Sequence, residues 1–210
     1  MKPVLFSRLS VMMFLQFFVW GAWYVTVPNY MTELGMADHI YWAYSVSPIG
    51  AIISPFFLGF IADRYFPTEK VLGVMHLLSG IFVFAAPFFA EGSFYPATLF
   101  IVFLGLHMLC YMPTMGLANT MAFHNLTDQE QEFPYIRVSG TVGWIVAGVL
   151  VSYGLGADET AIPLYVAGIS GVLMGAYSFT LPHVPPPAKG EETTVREVLG
   201  LDALSRLSTP

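Results

Sequence analysis

An all-α, polytopic membrane protein with six transmembrane helices is the fold class the sequence predicts, and three observations predict it. Hydrophobic residues make up 56% of the 210-residue chain and charged residues only 10%, against roughly 25% charged in an ordinary soluble domain. The apolar residues gather into six stretches, each near the roughly 20 residues that carry a helix across a bilayer. The basic residues fall only in alternate connections between those stretches. A closed barrel does not fit, because its strands would alternate in polarity over about ten residues, whereas these stretches are continuously apolar.

The first stretch, 9–31, follows Lys2 and Arg8 as a secretory signal would. Its "FFVWGAWYV" is too bulky for a small-residue cleavage site, so it reads as a retained helix. The second stretch is 41–62, the third 71–90 and the fourth 96–124, long enough that its end, "TMAFHN", reaches beyond the hydrocarbon. The fifth, 136–155, and the sixth, 161–181, complete the set. Pro28 and Pro113 sit well inside the first and fourth stretches, and Pro48 and Pro55 inside the second. A proline frees a backbone carbonyl and permits a bend. Breaks at corresponding places in helices one and four would mark two three-helix units of opposite orientation, although prolines are also frequent in membrane helices without any such meaning.

All eight basic residues (Lys2, Arg8, Arg64, Lys70, Arg137, Lys189, Arg196 and Arg206) lie in the terminal tails or in the second and fourth connections. Positive residues resist translocation, so both termini are expected in the cytoplasm, in a multi-pass protein of the cell (inner) membrane. Asn125-Leu126-Thr127 matches a glycosylation acceptor but falls on that cytoplasmic side. The net charge of −6 gives no argument for a nucleic-acid partner. Cys110 is the single cysteine and has no intrachain partner. The five histidines are scattered, without the paired spacing of a haem or metal site, and no span carries a nucleophile string or an acidic pair. Neither an enzyme nor a cofactor is expected.

The second connection, "GFIADRYFPTEK", has a glycine four residues before Asp63-Arg64 and a basic residue, Lys70, after them. It resembles the cytoplasmic loop between helices two and three of the major facilitator superfamily. The resemblance implies that Gly59 allows close helix contact while Asp63, Arg64 and Lys70 form an interhelical charge latch. "FPTE" stands here where that superfamily has a glycine and paired basic residues, and an ordinary charged turn is the competing reading. Five further strings, "FLQFFVWGAW", "YMPTMGLANT", "FPYIRVSGTVGW", "TLPHVP" and "LGLDAL", resemble in order and spacing the bacterial nucleoside:proton symporter family, a branch of that superfamily. They span residues 14–204.

That resemblance implies a carrier that couples inward movement of nucleosides to inward movement of protons by alternating access, from two six-helix halves. The chain stops after "LGLDALSRLSTP", where the family's central linker leads into helix seven. It is therefore expected to be the amino-terminal half, a bundle of 3+3 inverted repeats. Residues 1–182 would be the transmembrane bundle and 183–210 the start of a cytoplasmic linker. Its partners would be nucleoside, protons, the lipid bilayer and a missing or separate carboxy-terminal half. Because no Asp or Glu lies in the interior of a stretch, the proton-linked acids are expected in that second half. A sugar or polyol carrier of the same superfamily, and a non-transporting half that pairs with another chain, are the alternatives.

Arg137, Thr141 and Trp144 stand at i, i+4 and i+7 and so share one helix face, with the small residues Ser139 and Gly143 on the opposite one. A guanidinium offers five fixed donors, threonine a hydroxyl and indole a flat apolar face with one donor, which together suit a ribose and a base. The family resemblance points to Arg137 and Thr141 as substrate residues, with Trp144 replacing a different aromatic. Snorkelling of Arg137 from a helix end to the headgroups is the competing role. Gln16, Trp20, Thr114 and Asn119 lie within matched strings on helices that line the superfamily's cavity, as does Trp23. Helix–helix hydrogen bonding competes for the amides, and interface anchoring for the tryptophans. His76 and His107 read as structural, and Gly171 with Gly175 as a packing pair.

Overall fold

In hydrocarbon no water satisfies the backbone, so each apolar stretch must close its own hydrogen bonds as a helix. The computed structural model describes residues 3–57, 65–92 and 94–186. Its elements are α1 (Pro3–Gly21), α2 (Val27–Glu33), a 3₁₀ turn (Ala37–His39), α3 (Ile40–Phe57), α4 (Thr68–Gly92), α5 (Pro96–Asn125), α6 (Gln129–Val149) continued by a π turn (Leu150–Gly154), and α7 (Ile162–Ser178). No strand occurs among the described residues. Four of these helical segments, Pro3–Gly21, Thr68–Glu91, Pro96–Asn125 and Gln129–Gly154, are long and apolar enough to cross a membrane, and the apolar α7 is shorter, at 17 residues. The 30 residues of α5 measure about 45 Å at 1.5 Å per residue, longer than the hydrocarbon, as its sequence implies.

The expected break in the first stretch is present, and the matching one in the fourth is not. Residues 22–26 form a turn between α1 and α2, and Pro28 falls in the first turn of α2, where its missing N–H costs no helical bond. The Trp23 carbonyl takes up the freed donors, accepting from Thr26 N at 3.2 Å, Val27 N at 2.9 Å and Thr26 Oγ1 at 3.2 Å. Pro113, by contrast, lies buried inside an unbroken α5, a helix that packs on α3 and α4. Pro48 and Pro55 likewise lie within a continuous α3.

The repeat is visible in the packing instead. Taking α1 with α2 as helical unit one and α3 to α7 as units two to six, unit one packs on units five and six, unit two on unit four, and unit three on units four and six, with a smaller contact between one and four. Exchanging units one, two and three for four, five and six leaves this set of pairings unchanged, as two inverted three-helix repeats require. The fold is thus an all-helical bundle with 3+3 organisation. Small residues let the backbones close. A Cβ at Gly80 would lie 2.7 Å from the Gly168 carbonyl oxygen, and one at Gly175 would lie 2.9 Å from that of Gly73. Gly171 and Gly175 are therefore packing residues, and Gly143 serves α6 in the same way, its missing side chain leaving room for the Phe14 carbonyl of α1.

The interior has two apolar clusters. One, toward the end that carries the termini, contains Leu9, Met12, Leu72, Met121 and Ile136, and the other contains Trp23, Tyr30, Val83, Phe100 and Met108. Between them on α1, α4 and α5 lies a buried polar layer that includes Gln16, His76 and Thr114. At the terminal end the chain turns back after α7. Thr68 N donates to Val184 O at 3.0 Å, Val184 N donates to Glu69 Oε2 at 3.0 Å, and His183 Nδ1 lies 2.9 Å from Glu69 Oε1. The expected boundary between residues 182 and 183 falls inside this pinned segment. Lys70 is exposed in the first turn of α4, while Gly59, Asp63 and Arg64 lie outside the described residues.

Candidate functional site: an aromatic face on α1 and α6

The start of α6 fixes where its arginine sits. Asp128 caps the helix by accepting Gln131 N at 3.1 Å, and Glu132 Oε2 accepts Thr127 N at 3.0 Å and Asp128 N at 3.3 Å. Arg137 follows eight residues after Gln129, about 12 Å along the axis. Gly143 brings α6 against α1, and a Cβ at Gly21 would lie 2.9 Å from Trp144 Cα. This close approach places the aromatic residues of α1 beside the face of α6 that carries Arg137, Thr141 and Trp144.

The Arg137 Cζ lies 4.0 Å from the centroid of the Phe17 ring, a cation–π contact. Further along, Trp144 meets Trp20 edge-on at 5.2 Å and Tyr24 at 6.1 Å. Trp20 and Tyr24 are 5.3 Å apart, and Tyr24 meets Tyr44 of α3 at 5.1 Å, with Tyr44 OH donating to Tyr24 O at 3.3 Å. The result is an aromatic wall built from α1 and the turn after it, α3 and α6, with a guanidinium at one end. Arg137, Trp144, Trp20 and Tyr44 are half-buried and Thr141 is exposed, so the wall is open on one side. No described residue forms a hydrogen bond or ion pair with the guanidinium, whose donors remain available to a ligand. The Trp20 Nε1 donor is also without a partner.

The other expected residues divide. Asn119 is half-buried on α5 and makes no hydrogen bond to a described residue. Gln16 and Thr114 are fully enclosed and are bonded to each other, Gln16 Nε2 to Thr114 Oγ1 at 2.8 Å. Trp23 is also fully enclosed, packed edge-on against His107 at 5.4 Å in the cluster with Tyr30, Val83 and Phe100. His76 and His107 are interior hydrogen-bonding residues, His76 Nε2 to Gln16 Oε1 at 2.7 Å and His107 Nδ1 to Ser79 Oγ at 2.8 Å. Nothing in the sequence singles out Phe17, Tyr24 or Tyr44 from the other aromatic residues of the apolar stretches. The one signal for Tyr24 is its place four residues after Trp20, and aromatic residues in an apolar stretch do not otherwise announce a neighbour. Among the described residues no three His, Cys, Asp or Glu side chains come together as a metal site would require.

Residues 4–210 match the family model described as nucleoside H+ symporter. The chain is 39% identical over 206 residues to YegT of Escherichia coli (strain K12), covering 94% of this chain and 47% of that protein. It is 37% identical over 210 residues to the xanthosine permease of the same organism, covering 97% and 49%. A crystal structure of a mutant of the nucleoside transporter NupG superimposes with a TM-score of 0.87 at 30% identity, covering 98% of this chain and 51% of that one. The chain thus spans about half the length of the relatives it matches. A match that runs through nearly every residue, on a bundle of apolar helices that superimposes on a solved relative, makes this multi-pass membrane protein a member of the nucleoside H+ symporter family.

Proposed function

We propose that this chain is the amino-terminal six-helix half of a proton-coupled nucleoside importer, and that the face of α1 and α6 is its wall of the nucleoside site. The observation that carries this reading is the pairing of an open aromatic wall with a guanidinium whose donors are not taken up by described residues. A nucleoside is a flat apolar surface joined to a ring of hydroxyls. Trp144 and Trp20 would offer the base an aromatic surface, and Arg137, Thr141 and Asn119 would hydrogen-bond the ribose and the base edge. Gln16 and Thr114 would support the wall from behind.

The remaining parts follow from the same reading. The six stretches, with residues 1–182 as the bundle and 183–210 as the start of the central loop, would place both termini in the cytoplasm of a cell with this protein in its inner membrane. Gly59, Asp63, Arg64 and Lys70 would latch the cytoplasmic ends. Import would proceed by rocking of two halves about the site, with the proton-linked carboxylates supplied by the second half. The test is uptake of labelled uridine into proteoliposomes containing the full-length carrier under an inward proton gradient. Arg137→Lys should abolish most of it, because a point-charge ammonium cannot reproduce the planar donor fork. Undiminished uptake at equal protein density would remove the site, and loss of uridine uptake in the presence of excess hexose would favour a sugar carrier.

A further inference from the structure

The buried polar layer behind the aromatic wall has a direction. Thr114 Oγ1 donates to the Tyr111 carbonyl at 2.6 Å, which leaves its oxygen to accept from Gln16 Nε2 at 2.8 Å. The Gln16 amide is thereby oriented with Oε1 toward α4, where His76 Nε2 lies 2.7 Å away. Oε1 can only accept, so His76 must donate, and the imidazole is fixed as the Nε2–H tautomer. Tyr111 OH closes the set by donating to the backbone carbonyl of Gln16 at 2.5 Å. Three helices thus meet at one side chain, with Gln16, His76, Thr114 and Tyr111 all fully enclosed.

That side chain sits at the turn of α1 that presents the wall. Phe17, which underlies Arg137, is the next residue, and Trp20 is one turn on. In an α-helix the carbonyl of residue 16 accepts from the amide of residue 20, so Tyr111 OH binds the same carbonyl oxygen that anchors the Trp20 backbone N–H. Trp20 also touches the ring of Tyr111, at 5.9 Å, as well as Trp144. Rotation or slippage of α1 would move Phe17 and Trp20 together relative to α6. The apolar contacts above and below can slide, whereas the Gln16 amide has one arrangement that satisfies its oxygen and its nitrogen at once.

We infer that His76 is a positioning residue which, through Gln16, sets the register of α1 and so holds Phe17 and Trp20 opposite Arg137 and Trp144. Its relevance to transport rests on the reading of that face as the nucleoside wall. The measurement is made in the full-length carrier on two readouts. The first is the near-ultraviolet circular dichroism of the Trp20–Trp144 pair, taken as the difference between a protein and its Trp144→Phe counterpart. The second is the kinetics of uridine uptake. His76→Leu removes the donor and should collapse the difference band and raise KM by about fivefold with little change in kcat. His76→Gln, whose amide nitrogen can replace Nε2–H, should restore both. Thr114→Val removes the acceptor on the other side of Gln16 with almost no change in shape, and should reproduce the His76→Leu pattern should that variant fail to accumulate. An unchanged band in His76→Leu or Thr114→Val overturns the positioning role. A collapsed band with unchanged KM upholds that role and sinks the nucleoside reading of the wall.

Discussion

Two polar regions of this bundle lie within a few residues of each other on α1 and differ in how their hydrogen-bonding capacity is used. In the layer around Gln16 the amide oxygen, the amide nitrogen and the backbone carbonyl are all engaged by His76, Thr114 and Tyr111. At the wall, Arg137 rests its guanidinium on Phe17 and bonds no described residue, and the Trp20 indole N–H has no partner. A polar residue inside a span is costly until its groups are paired. The first region meets most of that cost within the protein, His76 Nδ1 being its one buried side-chain atom without a partner among the described residues, whereas the guanidinium of the second bonds no described residue.

The comparison can be broken by measuring uptake and stability side by side. Arg137→Lys should have the largest effect on uptake, at least about tenfold at low nucleoside, equivalent to about 1.4 kcal/mol, while leaving thermal stability in detergent near that of the parent. Gln16→Leu should do the reverse in emphasis, costing about 1–3 kcal/mol of stability by leaving the buried His76 donor and the Thr114 hydroxyl short of a partner. Equal losses of stability in the two variants would erase the distinction. Trp144→Phe keeps an aromatic ring and should reduce uptake by only about twofold to threefold, the size of one altered aromatic contact. Glu69→Ala tests the pinned segment, which shares no hydrogen bond with the described residues of either region. It should leave uptake unchanged and speed limited proteolysis within 180–186, since His183 and Val184 lose their shared acceptor.

Much of the fold was legible because lipid imposes a simple rule on sequence. Scarcity of charge and stretch length anticipated the helices, whereas Arg8, Lys70 and Arg137, read as lying in tails or connections, fall within α1, α4 and α6 because those helices begin before the apolar stretches do. Pro28 and Pro113 look alike in sequence, yet only the first accompanies a break. The difference lies in surroundings that proline does not encode, since α5 is flanked by α3 and α4 whereas the turn at 22–26 has its own carbonyl at Trp23 to collect the freed donors. The shared face of Arg137, Thr141 and Trp144 could be read from spacing, because helical period is local. Which neighbour covers that face, and which covers Gln16, is not local. Trp20 and Trp23 are three residues apart, and one reaches the wall while the other is enclosed against His107.

The exchange of units seen in the packing also bears on how the bundle is completed. Among the described residues no extensive contact joins α1, α3 and α4 to one another, and α5, α6 and α7 share only a small contact between the first two. Nearly all the packing runs between the two sets. The partners of the first three helical units lie later in the chain, so the glycine seams at Gly80 and Gly143 close only once those later helices are present. The packing of this bundle is thus complete only when the second set of helices is present to cover the first.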